Sequence, residues 1–115
     1  MIERFVIMKF KPESGEEFLR LFNEKREKIS SFQGCSHLEL KYSAQHKNWY
    51  MTYSIWENEE ALNQYRESEL FVSVWKKVKI LFNAPPEAIS INLSNESDLQ
   101  KKIEFIAKFE GNENA

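Results

Sequence analysis

The chain contains little cysteine and no long apolar run. Its 115 residues include one cysteine, Cys35, so no disulfide can form within the chain. Free cysteine is typical of a reducing compartment, and we expect a cytoplasmic protein. No apolar run approaches the ~20 residues that cross a membrane, so we expect no membrane partner. The first residues include Glu3 and Arg4 and no small-residue cleavage site, which does not resemble a signal peptide.

An excess of positive charge is also missing. Sixteen Lys and Arg residues stand against 18 Asp and Glu residues, which gives a formal net charge of −2. Proteins that bind nucleic acid use a basic surface to contact phosphates. The strands also lack the basic, glycine- and aromatic-rich motif of RNA-binding sheets. We therefore expect no nucleic acid as a partner.

The sequence has none of the common motifs for metals or phosphates. It contains no GxGxxG, no phosphate-binding loop and no cluster of residues with metal-ligand spacing. We expect no cofactor. Cys35 has no neighbouring cation that would lower its pKa, so we do not expect a nucleophilic cysteine.

Two predicted strands are apolar on both faces. Apolar residues occupy alternate positions on each side of residues 2–10, and again in Trp49–Trp56. A strand with one face in water would be polar at every second position. The pattern therefore predicts central strands that are covered on both sides.

Helix signals separate the strands. Ser14 begins an S-x-x-E capping box, and Gly34 marks the end of that helix. Asn58 and Ser68 are predicted N-caps of two later helical segments. Ser97 begins an S-x-x-Q signature, which predicts one more helix near the C-terminus.

The resulting order βαββαβ predicts an α+β, ferredoxin-like fold with a four-stranded antiparallel sheet and both helices on one face. The last strand is predicted at residues 87–93. The other face of the sheet would then be a large apolar patch, which monomers rarely expose. We infer a homodimer in which two such sheets pack face to face.

The C-terminal helix lies beyond this unit. Its apolar residues Leu99, Ile103 and Ile106 are expected to dock it on its own subunit or on the partner. We divide the chain into a main domain at 1–95, a docking helix at 96–110 and a disordered tail at 111–115.

Aromatic residues around the end of the third strand form a candidate substrate pocket. Trp56 ends that strand, and Phe71 and Trp75 lie one turn apart on the helix that follows. Tyr53 is a further candidate for the lining of this pocket. Ser54 is also a candidate, because its hydroxyl can orient a polar substrate atom. Aromatic rings line ligand pockets, but apolar stripes at helical spacing also pack cores. Both interpretations stay open.

His37 is the candidate catalytic base, because it lies on a predicted strand and histidine is the residue type that commonly acts as a base at neutral pH. It shares a face with Glu39 and Lys41, which equally fits a solvated histidine. His46 lies in a polar loop and is expected to be solvated.

A set of features in a fixed order carries a family resemblance. These are an apolar first strand, a helix that ends at Gly34-Cys35, a strand that ends in Trp56, then Asn58-Glu-Glu-Ala-Leu62 and Tyr65-Arg66-x-Ser68-x-x-Phe71. The combination resembles the antibiotic biosynthesis monooxygenase (ABM) domain of the dimeric α/β-barrel superfamily, over residues 2–93.

The resemblance implies a dimeric α/β barrel and a monooxygenase that oxidises a small aromatic, quinol- or anthrone-like substrate without metal or flavin. The family also includes haem-degrading oxygenases, whose iron ligand is a histidine on the helix after the tryptophan-ended strand. That position falls at Trp75, and an indole cannot ligate iron as an imidazole does. We therefore expect no haem. The alternative function is a non-catalytic homodimeric module that binds a small ligand or interacts with another molecule.

Overall fold

The structure, a computed structural model, describes residues 1–111. Within them the elements are β1 (Ile2–Lys9), α1 (Gly15–Ser30), β2 (Cys35–Tyr42), β3 (Trp49–Trp56), α2 (Glu59–Arg66), α3 (Glu69–Val78), β4 (Glu87–Asn92) and α4 (Ser97–Glu110), with a short 3₁₀ turn at Lys79–Leu81. None of these helices is long and apolar enough to span a membrane. The predicted tail lies outside the described residues except for Gly111, which caps α4.

The four strands form one antiparallel sheet in the order β2-β3-β1-β4. β1 is central and pairs with β3 along its whole length, from Ile2 opposite Trp56 to Lys9 opposite Trp49. This confirms the predicted ferredoxin-like fold. β4 ends at Asn92, one residue before the predicted boundary.

Helices α1 and α3 cover one side of the sheet, which we call the front face. Its central residues Met8 and Phe10 pack with Phe18 and Phe22 of α1 and with Val78 of α3. The rings of Phe10 and Phe18 stack at 4.4 Å between centroids. The front face therefore rests on a core of aromatic contacts, as the apolar pattern of β1 predicts.

Helix α4 covers the opposite side, the back face. Phe105 and Phe109 of α4 form one buried cluster with the sheet residues Phe5, Ile7, Met51 and Ile91. The expectation that one chain leaves this face open is wrong, because its own C-terminal helix covers the central residues of the face. The homodimer is then no longer required to bury the sheet, and it stays a prediction.

Helix α4 contacts the sheet mainly through other residues than the predicted ones. Phe105 and Phe109 are buried, and Ile106 is partly buried beside them. Leu99 is 55% exposed and Ile103 is 52% exposed. The two large rings bury more apolar area than the two aliphatic side chains, which explains the rotation of the helix. The outer side of α4 therefore carries two exposed apolar side chains, Leu99 and Ile103, among polar residues.

Polar contacts hold α4 in register on the back face. The Nζ atom of Lys102 lies 2.9 Å from Oε1 of Glu3, whose side chain is buried in the sheet. The Tyr53 hydroxyl donates to the other oxygen of Glu3. At the far end, the Ser43 hydroxyl donates to the Phe109 carbonyl at 2.8 Å. A buried carboxylate needs such partners, so these contacts fix where the helix lies.

Two of the four predicted helix caps are present. The Asn58 side chain accepts from the Ala61 N–H at 2.8 Å, and Ser68 accepts from the Phe71 N–H at 3.1 Å. Ser14 precedes α1 without a side-chain cap, and Ser97 lies inside α4, whose first turn follows Glu96. These two capping predictions are wrong, because the backbone at both helix starts is already helical.

Gly34 sets how closely α2 approaches the turn between α1 and β2. Its φ is +89°, in the left-handed region that favours glycine. A Cβ atom at this position would lie 2.5 Å from the Cβ of Ala61, which is too close for any side chain. The Glu57 N–H also donates to the Gly34 carbonyl at 2.8 Å. The start of α2 is thus pressed against a residue without a side chain.

Docking of α4 predicts unequal effects of two alanine substitutions. Phe109→Ala should lower the free energy of unfolding by about 3 kcal/mol, because it leaves a cavity in the back-face core. Leu99→Ala, on the same helix but more than half exposed, should cost less than about 1 kcal/mol. Urea denaturation followed by circular dichroism measures both. Equal losses would contradict the docked position of α4.

The contact between Tyr53 and Glu3 predicts a tyrosine that titrates late. Partial burial, then the hydrogen bond to Glu3 and its negative charge, raise the pKa of Tyr53 to about 12. Because this pKa is raised, its stabilising contribution is present below the ordinary value of 10.0 and is lost as pH rises towards 12. Glu3→Gln should lower the pKa of Tyr53 but leave it above that ordinary value, because burial remains. Tyrosine ¹³C NMR titration measures both proteins, and identical pKa values would contradict the assignment.

Candidate functional site

A cavity of about 580 Å³, which we call the front cavity, lies between the front face of the sheet and the helices. Six aromatic rings take part in its lining: Phe18, Phe22, Trp56, Tyr65, Phe71 and Trp75. Its polar and charged lining residues are Arg4, Thr52, Ser54, Asn63, Arg66 and Glu67. Such a space, mostly apolar with a few polar groups, has the character of a small-molecule site.

The aromatic rings form a continuous wall from the end of β3 to α3. The centroids of Trp56 and Tyr65 lie 4.8 Å apart with nearly parallel rings. Tyr65 meets Phe71 edge-on at 5.2 Å, and Phe71 stacks on Trp75 at 5.8 Å with 9° between the planes. Ring pairs in these geometries attract beyond their burial, so contacts between the rings hold the wall together.

Trp56 is also a core residue. Its side chain is 1% exposed, and its Nε1–H donates to the Ser54 hydroxyl at 2.9 Å. Ser54 is buried as well. A hydroxyl that accepts one hydrogen bond still has its own hydrogen to donate, so Ser54 keeps a donor for a ligand atom.

The structure brings together four of the residues that the sequence analysis proposed for the pocket, namely Ser54, Trp56, Phe71 and Trp75. Tyr53 is not among them. It faces α4 and lines a second cavity of about 750 Å³ between the back face and that helix. Successive strand residues point to opposite faces of a sheet, so Tyr53 cannot share a pocket with Ser54 and Trp56.

His37 also lies away from the front cavity. It is exposed at the surface, with its Nε2 atom 3.0 Å from Oε1 of Glu39 and its ring edge-on to Tyr53. This arrangement matches the solvated interpretation. His46 differs from its expectation, because it is partly buried and stacks on Trp49 at 3.9 Å between centroids.

Sequence reasoning missed the charged residues of the front cavity. Arg4 points to the front face of β1, where it lies opposite Ser54 of β3 and Ser90 of β4. Arg66 ends α2, directly after Tyr65. The signal was present in the alternation of β1, since Arg4 shares a face with Val6, which also lines this cavity.

The environment of the cavity shifts the pKa values of two of its side chains, Arg4 and Tyr65. Burial, and to a smaller extent the positive charge of Arg66, lower the pKa of Arg4. Arg4 donates to the Ser90 hydroxyl at 3.0 Å. Burial raises the pKa of Tyr65, so its hydroxyl stays protonated at neutral pH. The cavity thus combines a neutral phenol with two cations.

Cys35 packs beside Trp56. Burial raises the pKa of its thiol, which agrees with the expectation that it is not a nucleophile. Histidine is absent from the described residues that line the front cavity, so they offer no imidazole to a haem iron.

Comparisons with known proteins agree with this architecture. A family model for antibiotic biosynthesis monooxygenase matches residues 1–76, from β1 into α3. No curated protein matches the sequence significantly.

Solved structures share the fold at low sequence identity. A crystal structure of an antibiotic biosynthesis monooxygenase has a TM-score of 0.75 at 17% identity, over 80% of this chain and 97% of its own. A conserved protein from Methanosarcina mazei has a TM-score of 0.76 at 19% identity, over 79% and 90%. A protein from Mycobacterium tuberculosis has a TM-score of 0.75 at 16% identity, over 84% and 97%.

At these identities the structural matches establish the fold alone. The family model covers 76 of the 115 residues, which is well over half of the chain. The chain therefore belongs to the antibiotic biosynthesis monooxygenase family.

Proposed function

We propose that the protein is a monooxygenase that acts without metal or flavin on a small aromatic, quinol- or anthrone-like molecule in the front cavity. The observation that supports this best is the cavity itself, which measures about 580 Å³ and has six aromatic rings in its lining. This volume lies within the range of small-molecule sites, roughly 300–1,000 Å³. A flat ring system packs favourably against the wall of rings.

Oxygenation without a cofactor takes its electrons from the substrate. An anthrone loses a proton, and its anion gives an electron to O₂. Overall, the ring CH₂ group and O₂ give a ring carbonyl and water, so no external reductant is consumed. The protein contributes a water-poor slot and polar groups that favour the deprotonated substrate.

The proposal gives the lining residues different tasks. Phe71 and Trp75 contact one side of the substrate rings, and Trp56 closes the strand end of the cavity. The Ser54 hydroxyl orients a substrate oxygen, because it accepts from Trp56 and still has a hydrogen to donate. Tyr53 and His37 lie on the other side of the sheet and take no part in the proposed site.

A non-catalytic ligand-binding module of the same fold is the second candidate. The burial of Trp56 favours it, because a ring that is 1% exposed with its N–H already bonded behaves as a core residue. In that case the cavity holds a ligand and does not oxidise it.

We also infer that two copies associate, as the resemblance to dimeric α/β barrels implies. Face-to-face packing of two sheets requires α4 to leave the back face that it covers. Leu99 and Ile103, each more than half exposed, offer a contact surface that leaves the helix in place. The outer side of α4 is therefore the dimer contact that we favour.

A cytoplasmic location is part of the same proposal. It is supported by Cys35, which is a free thiol partly buried against the Trp56 cluster. Unpaired cysteines are usual where thiols are kept reduced.

Oxygen uptake with a panel of anthrones and hydroquinones, with a chelator present and no flavin added, tests the activity. Wild-type protein should consume oxygen. Val74→Trp, which fills the front cavity, should lower turnover by about tenfold or more because it displaces the substrate. His37→Ala, on the opposite side of the sheet, should leave turnover unchanged.

Circular dichroism of each variant shows whether it is folded. Trp75→Ala is a second variant of the front-cavity lining. Ligand binding without uptake across the panel would favour the module. Loss of turnover in a folded His37→Ala variant would return this histidine to the mechanism and contradict the proposed site.

The paired substitution Leu99→Asp and Ile103→Asp tests the dimer. Light scattering should show a dimer for the wild type and a monomer for the double variant, because two charges would be buried at the contact. A double variant that stays dimeric would favour packing through the sheets, with loss of amide protection in α4. A wild type that is monomeric at micromolar concentration would contradict the homodimer.

A further inference from the structure

Two guanidinium groups line the front cavity, and no carboxylate of the described residues pairs with either of them. Arg4 reaches it from β1 and Arg66 from the end of α2. Within residues 1–111 neither forms an ion pair, and the contact of Arg4 is to the neutral hydroxyl of Ser90. Arg4 is partly buried, whereas most arginines that leave water are paired.

Arg4 and Arg66 bring two like charges to one cavity. Burial first, and then the positive charge of Arg66, lower the pKa of Arg4. Arg66 is exposed, so solvent weakens the repulsion between them. Arginine carries a fixed positive charge in proteins. Glu67 is the acidic residue in the described lining, so this lining carries two positive charges and one negative charge. An anion in the cavity would relieve the repulsion.

The position of the cations relative to the rings defines the shape of the ligand. Arg4 lies opposite Ser54, whose hydroxyl bonds to Trp56 at one end of the aromatic wall. Arg66 follows Tyr65, whose ring stacks on Trp56. The cations and the wall therefore meet at the same end of the cavity. A molecule that fits both has a flat ring system with an acidic group on one edge.

We propose that the front cavity selects an aromatic anion, whose rings lie on the wall of Tyr65, Phe71 and Trp75 and whose carboxylate or phenolate oxygen is held by Arg4 and Arg66. Guanidinium groups bind such oxygens with planar, charge-assisted hydrogen bonds. The inference rests on the front cavity as the ligand site of the proposed function, but not on oxidation. For a quinol or anthrone, the same cations would stabilise the deprotonated form that reacts with O₂.

Matched ligands test this directly. 2-Naphthoate and 2-naphthamide have the same rings and differ in charge, and quenching of tryptophan fluorescence reports their binding. Wild-type protein should bind 2-naphthoate about tenfold or more tightly than 2-naphthamide, as expected for a charge-assisted hydrogen bond in a partly buried site. 2-Naphthol, titrated across its own ionisation, distinguishes a phenolate from a carboxylate as the preferred anion.

Variants assign the preference to the two arginines. Arg4→Met and Arg66→Gln should each lower the affinity for 2-naphthoate by about tenfold and leave 2-naphthamide unchanged. Arg4→Lys should recover part of the loss, because it keeps the charge. Arg20→Gln, an exposed arginine of α1 away from the cavity, is the matched control and should behave as wild type.

Each failure has a distinct meaning. Equal binding of the two ligands, or equal effects of Arg66→Gln and Arg20→Gln, would overturn the anion proposal and leave the cavity as a ligand site. If neither ligand binds to wild-type protein, the anion proposal and the assignment of the cavity as a ligand site are both overturned. Tight 2-naphthoate binding without oxygen uptake on any panel substrate would leave this inference standing while the monooxygenase proposal fails.

Discussion

The sheet is apolar on both faces, and this constraint shapes the rest of the molecule. Exposed apolar area is costly in water, so each face needs a cover. Helices α1 and α3 cover the front, where Phe10 and Phe18 pack together. On the back, α4 places Phe105 and Phe109 against Phe5. The front cover is incomplete beside α2, and that gap is the cavity.

Features that depend on local sequence were predictable. The bounds of β3, Trp49–Trp56, are those predicted from the sequence pattern. Asn58 and Ser68 cap their helices because a side chain and a nearby N–H suffice to form a cap. The position of α4 was not predictable in this way. It depends on contacts such as Lys102 with Glu3, which are distant in sequence and compete with an equally apolar stripe on the same helix.

The candidate site was predicted in part, for a similar reason. Ser54, Trp56, Phe71 and Trp75 meet as expected, because strand end and helix turn fix their directions. Tyr53 was proposed with them, although alternation alone places it on the other face. Alternation places Arg4 on the same face as Val6, but only the pairing of β1 with its neighbours and the position of α2 show that a cavity lies there. The family resemblance supplied the reaction class, which no pattern of residues in the chain specifies.

The contact at Gly34 has a consequence for how such a protein can diversify. α2 contributes Tyr65 and Arg66 to the cavity, and its first turn rests against Gly34 at a distance that admits no side chain. Any larger residue there would push the helix outward and widen the gap between it and the sheet. Selection on ligand size can therefore act through a remote turn, with every residue that touches the ligand unchanged.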